Sequence, residues 1–87
     1  MPKYMLVRTV GQISEEELEA AALRSIEVVD QMPGVRWVRS YYSAEEGKIY
    51  CEYEAPNVDL IFEHARRARL PLDRCTVVRD LEPAMFR

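Results

Sequence analysis

The chain has one histidine, two cysteines and three glycines among its 87 residues. Each scarcity closes a route. One histidine per chain leaves little imidazole for a high-affinity metal site. Cys51 and Cys75 lie far apart and form no C-x-x-C, which excludes a zinc knuckle or a dithiol redox motif. The scattered glycines make no Gly-rich loop to cradle phosphate. No run reaches the ~18–20 apolar residues of a membrane span. The opening MPKYMLVRTV has no apolar core long enough for a signal peptide, so a cytoplasmic location is expected. An excess of positive charge is missing too. The net charge of -3 argues against a nucleic-acid partner held by phosphate neutralisation. Arg66, Arg67 and Arg69 read instead as a helix end favoured by the macrodipole.

What is there is an ordinary globular mixture, 48% apolar and 31% charged. Its length suits one domain with one modest core, which a partner subunit would help to close. We expect that domain over 1–81 and a short tail over 82–87, with Met85 and Phe86 exposed.

Lys3 to Val10 alternates and reads as a strand, with Tyr4, Leu6 and Arg8 on one face and Met5, Val7 and Thr9 on the other. Ser14 followed by three glutamates reads as a capping box, Ser14 with Glu17, opening a helix. Leu18, Ala22, Ile26 and Val29 would form its core stripe. Pro33 and Gly34 stop it. Val35 to Tyr42 and Lys48 to Ala55 are two strands joined by a short polar loop ending in Gly47. Asn57 caps a second helix from Val58 to about Arg69, with Leu60, Ile61, His64, Ala65 and Ala68 inward. Cys75 to Asp80 is the last strand. Cys51 and Cys75 read as buried free thiols. The order β-α-β-β-α-β predicts a ferredoxin-like α+β fold: a four-stranded antiparallel sheet with two helices on one face.

The short hairpin loop predicts that Tyr41 pairs with Tyr50, Arg39 with Glu52 and Trp37 with Glu54. Val38, Ser40, Ile49, Cys51 and Tyr53 then point to the helices. Trp37, Arg39, Tyr41, Tyr50, Glu52 and Glu54 point away. An outward face mixing aromatics with charge reads as an interface, here a homodimer through Trp37, Arg39, Tyr41 and Tyr50.

His64 is a candidate ligand or base, or a hydrogen-bonded histidine in the core. Glu52 and Glu54 share a strand face. Such a pair suits a divalent ion or acid–base work, or simple pairing with Arg39. Glu63 points about 100° away from His64 around the helix. No nucleophile with a base is evident, and no catalytic residue is assigned.

Three pieces are more distinctive together than apart: G-x-x-W-x-x-S-Y from Gly34, Y-C-x-Y-E-A-P from Tyr50, and E-H-A-x-x-A-x-x-P from Glu63. With them the chain resembles a bacterial family of unknown function, DUF4242, that includes small actinomycete nickel-binding proteins. The similarity runs from the YMLVRTV strand to the strand after Pro71. It implies a ferredoxin-like fold, a homodimer, and binding of nickel or another divalent metal ion. On the matching positions His64 leads as metal ligand, with Glu54 and Glu52 beside it.

The leading expectation is therefore a non-enzymatic, divalent-metal-binding homodimer. The alternatives are a small dimeric enzyme, of cofactor-free monooxygenase or isomerase type, and a structural or interaction dimer. In the enzyme His64 would be the base in a pocket between sheet and helices, with Tyr53 or Arg39 orienting a substrate.

Overall fold

The computed structural model, which describes residues 1–87, follows the expected order. Its elements are β1 Lys3–Thr9, α1 Glu15–Val29, β2 Arg36–Ser43, β3 Lys48–Glu54, α2 Val58–Ala68 and β4 Arg74–Val78, with a short 3-10 turn at Pro83–Phe86. The strands form one sheet in the order β2-β3-β1-β4, each neighbouring pair antiparallel. This is the ferredoxin-like plan.

Local chemistry sets the helix ends. The Glu17 N–H donates to Ser14 Oγ, and the Ser14 N–H donates to Glu17 Oε1, both at 3.1 Å, completing the capping box. At α2 the Leu60 N–H donates to Asn57 Oδ1 at 3.1 Å. After α1 the chain turns at Gly34 with φ +90°, a conformation that favours glycine. Strand β4 stops at Val78 rather than Asp80, because β1 begins at Lys3, its last partner. Asp80 turns instead to Lys3 Nζ, 2.7 Å away.

The core lies between the helices and one sheet face. Tyr4, Leu6, Ile49, Cys51 and Tyr53 come from the strands, and Val28, Ile61, Ala65 and Ala68 from the helices. Cys51 and Cys75 are free thiols, Cys51 buried and Cys75 half-buried. One expected member is absent: Ile26 is 43% exposed. Helix α1 is rotated so that Ser25 and Val28 face inward, and Ile26 lies about 100° round from Ser25.

The hairpin register holds at Tyr41–Tyr50 and Arg39–Glu52 but changes beyond Arg39. A bulge between Trp37 and Arg39 inserts Val38, so Trp37 pairs with Tyr53 and Arg36 with Glu54. That reverses two expected directions. Trp37 turns to the helix side and packs on the core. Val38 shares the open-face groove of Met5, Arg39 and Tyr41. Trp37 is therefore not part of the outward aromatic patch.

Candidate functional site

Four elements each send one polar side chain into the core: Arg8 from β1, Ser25 from α1, Tyr53 from β3 and His64 from α2. All four are buried, Arg8 to 1% exposure and His64 to 0%. Arg8 arrives there because it alternates with Tyr4 and Leu6 on the inward side of β1. Ser25 occupies a stripe position otherwise filled by alanine and valine.

Ser25 joins the group. Its Oγ lies 2.7 Å from Tyr53 Oη and 3.3 Å from His64 Nε2. The Ser25 carbonyl is also 3.3 Å from Nε2. A carbonyl only accepts, so that bond assigns the proton to Nε2 and leaves Nδ1 a bare acceptor. Nδ1 is buried without a partner. Burial holds the His64 pKa below the usual imidazole value, and the Arg8 and Arg67 charges push the same way. The Ser25 backbone bond opposes them. Burial likewise raises the Tyr53 phenol. The cluster is thus a neutral imidazole and a neutral phenol beside a fixed cation.

Arg8 is anchored but unbalanced. Its Nη1 donates to the Pro71 carbonyl at 2.7 Å, and its guanidinium carbon lies 5.7 Å from the Tyr53 ring centre. Its Nη2 is buried with no partner. None of the four ion pairs in the chain involves it.

Beside this cluster, between α1 and the sheet, is a cavity of about 220 Å³. Arg8, Ser25, Trp37, Ser40, Tyr42 and Cys51 are in its wall, and Leu18, Ala21 and Ala22 of α1 roof it. His64 and Tyr53 lie behind the wall, in contact with Ser25.

The expected metal ligands divide between two places. His64 lies under the helices, while Glu52 and Glu54 lie on the opposite sheet face. Glu52 is 2.5 Å from Lys3 Nζ, and Glu54 is 2.9 Å from Arg36 Nη1. Arg39 stands opposite Glu52 in the ladder, but Lys3 takes the carboxylate. Glu63 pairs with Arg66 at 2.7 Å and does not join His64. No group of three or more His, Cys, Asp or Glu side chains in the chain is placed to hold a metal ion. No helix is long and apolar enough to cross a membrane.

Sequence reasoning missed Arg8 and Ser25 as site residues. The signal was present in both. A charged residue on the apolar parity of a strand, and a serine on a helix stripe, each mark a polar group sent inward.

No curated protein matches the chain. Among solved structures, the crystal structure of SCO4226 from Streptomyces coelicolor A3(2) matches with a TM-score of 0.80 and 22% identity, covering 92% of this chain and 99% of that one. At that identity the likeness shows the fold. A family model described as nickel responsive protein SCO4226-like matches residues 4–78. The matching description is SCO4226-like rather than the expected label DUF4242. The match spans nearly all of the sheet and both helices, and the chain belongs to the SCO4226-like family of nickel responsive proteins.

Proposed function

We propose that this chain acts as a homodimer that binds a divalent, nickel-like ion with ligands drawn from two copies. The family description supports the metal. Within one chain the donor set does not fit an ion, because His64 and the Glu52–Glu54 pair occupy opposite sides of the sheet. Two copies change the arithmetic. A two-fold axis through the sheet face would bring two Glu52 and two Glu54 together. Carboxylate oxygens suit hard and borderline divalent ions, and imidazole suits nickel.

The observation that carries the reading is the sheet face without a helix. It presents Met5, Arg39, Tyr41, Tyr50, Glu52 and Glu54, with Tyr41 60% exposed. Aromatic side chains on an uncovered face favour association. Trp37 does not contribute, since it lies beneath α1.

Titration calorimetry of chelator-stripped protein with nickel, beside sedimentation velocity, tests both halves. The expected result is a dimer with a binding heat that the Glu52→Gln/Glu54→Gln variant loses. Loss in His64→Ala instead would move the ion to the core imidazole. A monomer, or wild-type protein without binding heat, would sink the reading. A dimer without heat would leave the structural-dimer alternative standing. The enzyme alternative has a pocket, but the expected base is not in its wall.

A further inference from the structure

We infer that the cavity between α1 and the sheet binds a small organic carboxylate, its anionic end held by Arg8 and its apolar body by the α1 wall. The site is separate from the proposed metal ligands. It rests on an imbalance of charge. Arg8 is 1% exposed, its Nη1 donates to the Pro71 carbonyl, and its guanidinium has no carboxylate partner. A guanidinium does not give up its proton in a protein core. Burying such a charge without a counter-ion is strongly unfavourable. Contact with the Tyr53 ring, 5.7 Å from the guanidinium carbon, offsets only part of this. No carboxylate pairs with Arg8, since none of the four ion pairs includes it. An anion from outside the chain would balance it.

The cavity describes that anion. Its wall holds Arg8 on the sheet side and Leu18, Ala21, Ala22 and Ser25 of α1 on the other. A single guanidinium fits one carboxylate through charge-assisted hydrogen bonds, and Arg8 is in the cavity wall. The volume, about 220 Å³, is below the ~300–1,000 Å³ of pockets for drug-sized ligands. Inorganic phosphate would leave the apolar wall unused. A short-chain acid matches both polarity and size.

Trp37 is the only tryptophan and stands in the cavity wall, so its emission reports occupancy directly. The probe is hexanoate, with hexanamide as the uncharged control, in chelator-treated buffer so that metal plays no part. Hexanoate should shift Trp37 emission saturably and bind at least tenfold tighter than hexanamide. In Arg8→Met the affinity for hexanoate should fall to that for hexanamide. Ala22→Phe, which keeps Arg8 and fills the roof, should abolish the response. The proposal is overturned by equal affinity of the two probes in wild type, by the absence of a saturable shift, or by undiminished binding in Ala22→Phe.

Discussion

Trp37 stacks on Tyr53, its cross-strand partner, with ring centroids 6.3 Å apart and planes within 15°. The Val38 bulge makes this contact, because without the extra residue Trp37 would sit opposite Glu54 on the open face. The indole Nε1 then finds Ser40 Oγ at 2.8 Å. Trp37→Ala removes a half-buried ring from the core edge. We expect a loss of about 2–3 kcal/mol in urea unfolding, below the ~3–5 kcal/mol of a fully buried tryptophan. A loss under about 0.5 kcal/mol would place Trp37 with the exposed residues.

That bulge also marks where sequence reading stops. The capping serine, the capping asparagine and the Pro33–Gly34 stop are local, and each appears in the structure as expected. Alternation along β3 placed Cys51 and Tyr53 inward for the same reason. A bulge depends on how two strands fit, and nothing between Gly34 and Arg39 announces it. The direction of Trp37 was therefore illegible. Ile26 departs for another reason: Leu18, Ala22 and Val29 of the expected stripe do lie at the core, but the inward position of the turn between them is taken by Ser25 rather than Ile26. The buried polar cluster was legible only in parts. His64 stood out by type, whereas Arg8 and Ser25 needed the packing to show that four elements converge.

Ser25 links Tyr53 and His64, its Oγ lying 2.7 Å from the Tyr53 phenol and 3.3 Å from His64 Nε2. Ser25→Ala takes this 2.7 Å bond from a buried phenol, which costs about 1–3 kcal/mol. Tyr53→Phe removes the other half. Combining them should cost less than the sum, with a coupling of about 1 kcal/mol between residues in direct contact. Strict additivity in the double-mutant cycle would show that the bond contributes nothing to stability.

Arg69 ends α2 in the left-handed region, with φ +56° and ψ +45°, the single non-glycine residue of positive φ. Its side chain is exposed, while Leu70 closes the helix end by donating to the Ala65 carbonyl at 3.0 Å. An L side chain there costs about 1–2 kcal/mol, and glycine takes the position without that cost. Its greater freedom in the unfolded chain returns part of the gain. Arg69→Gly should raise the melting temperature by about 3–6 °C for a domain of this size. A lowered melting temperature would mean that the arginine stabilises the helix end more than its backbone strains it.

His64 gives the fold a pH dependence with a definite sign. Burial depresses its folded pKa, reinforced by Arg8 and Arg67, while the unfolded value stays near 6.5. Above that value both states hold a neutral imidazole, and stability is at its full level. As pH falls through about 6.5 the unfolded chain takes up a proton that the folded core refuses. Stability then declines by at most ~1.4 kcal/mol per pH unit until the folded pKa is passed. The Glu63 carboxyl, lowered by the Arg66 guanidinium, loses its contribution in the same direction but only in the carboxylate range. Urea unfolding between pH 8 and 5 therefore isolates the imidazole. Wild type should be flat at the upper end and weaken below about 6.5, whereas His64→Gln should lack that decline. Parallel curves for the two proteins would show that His64 takes up its proton without opening the core, and would remove the neutral cluster of Ser25, Tyr53 and His64 from the account of the fold.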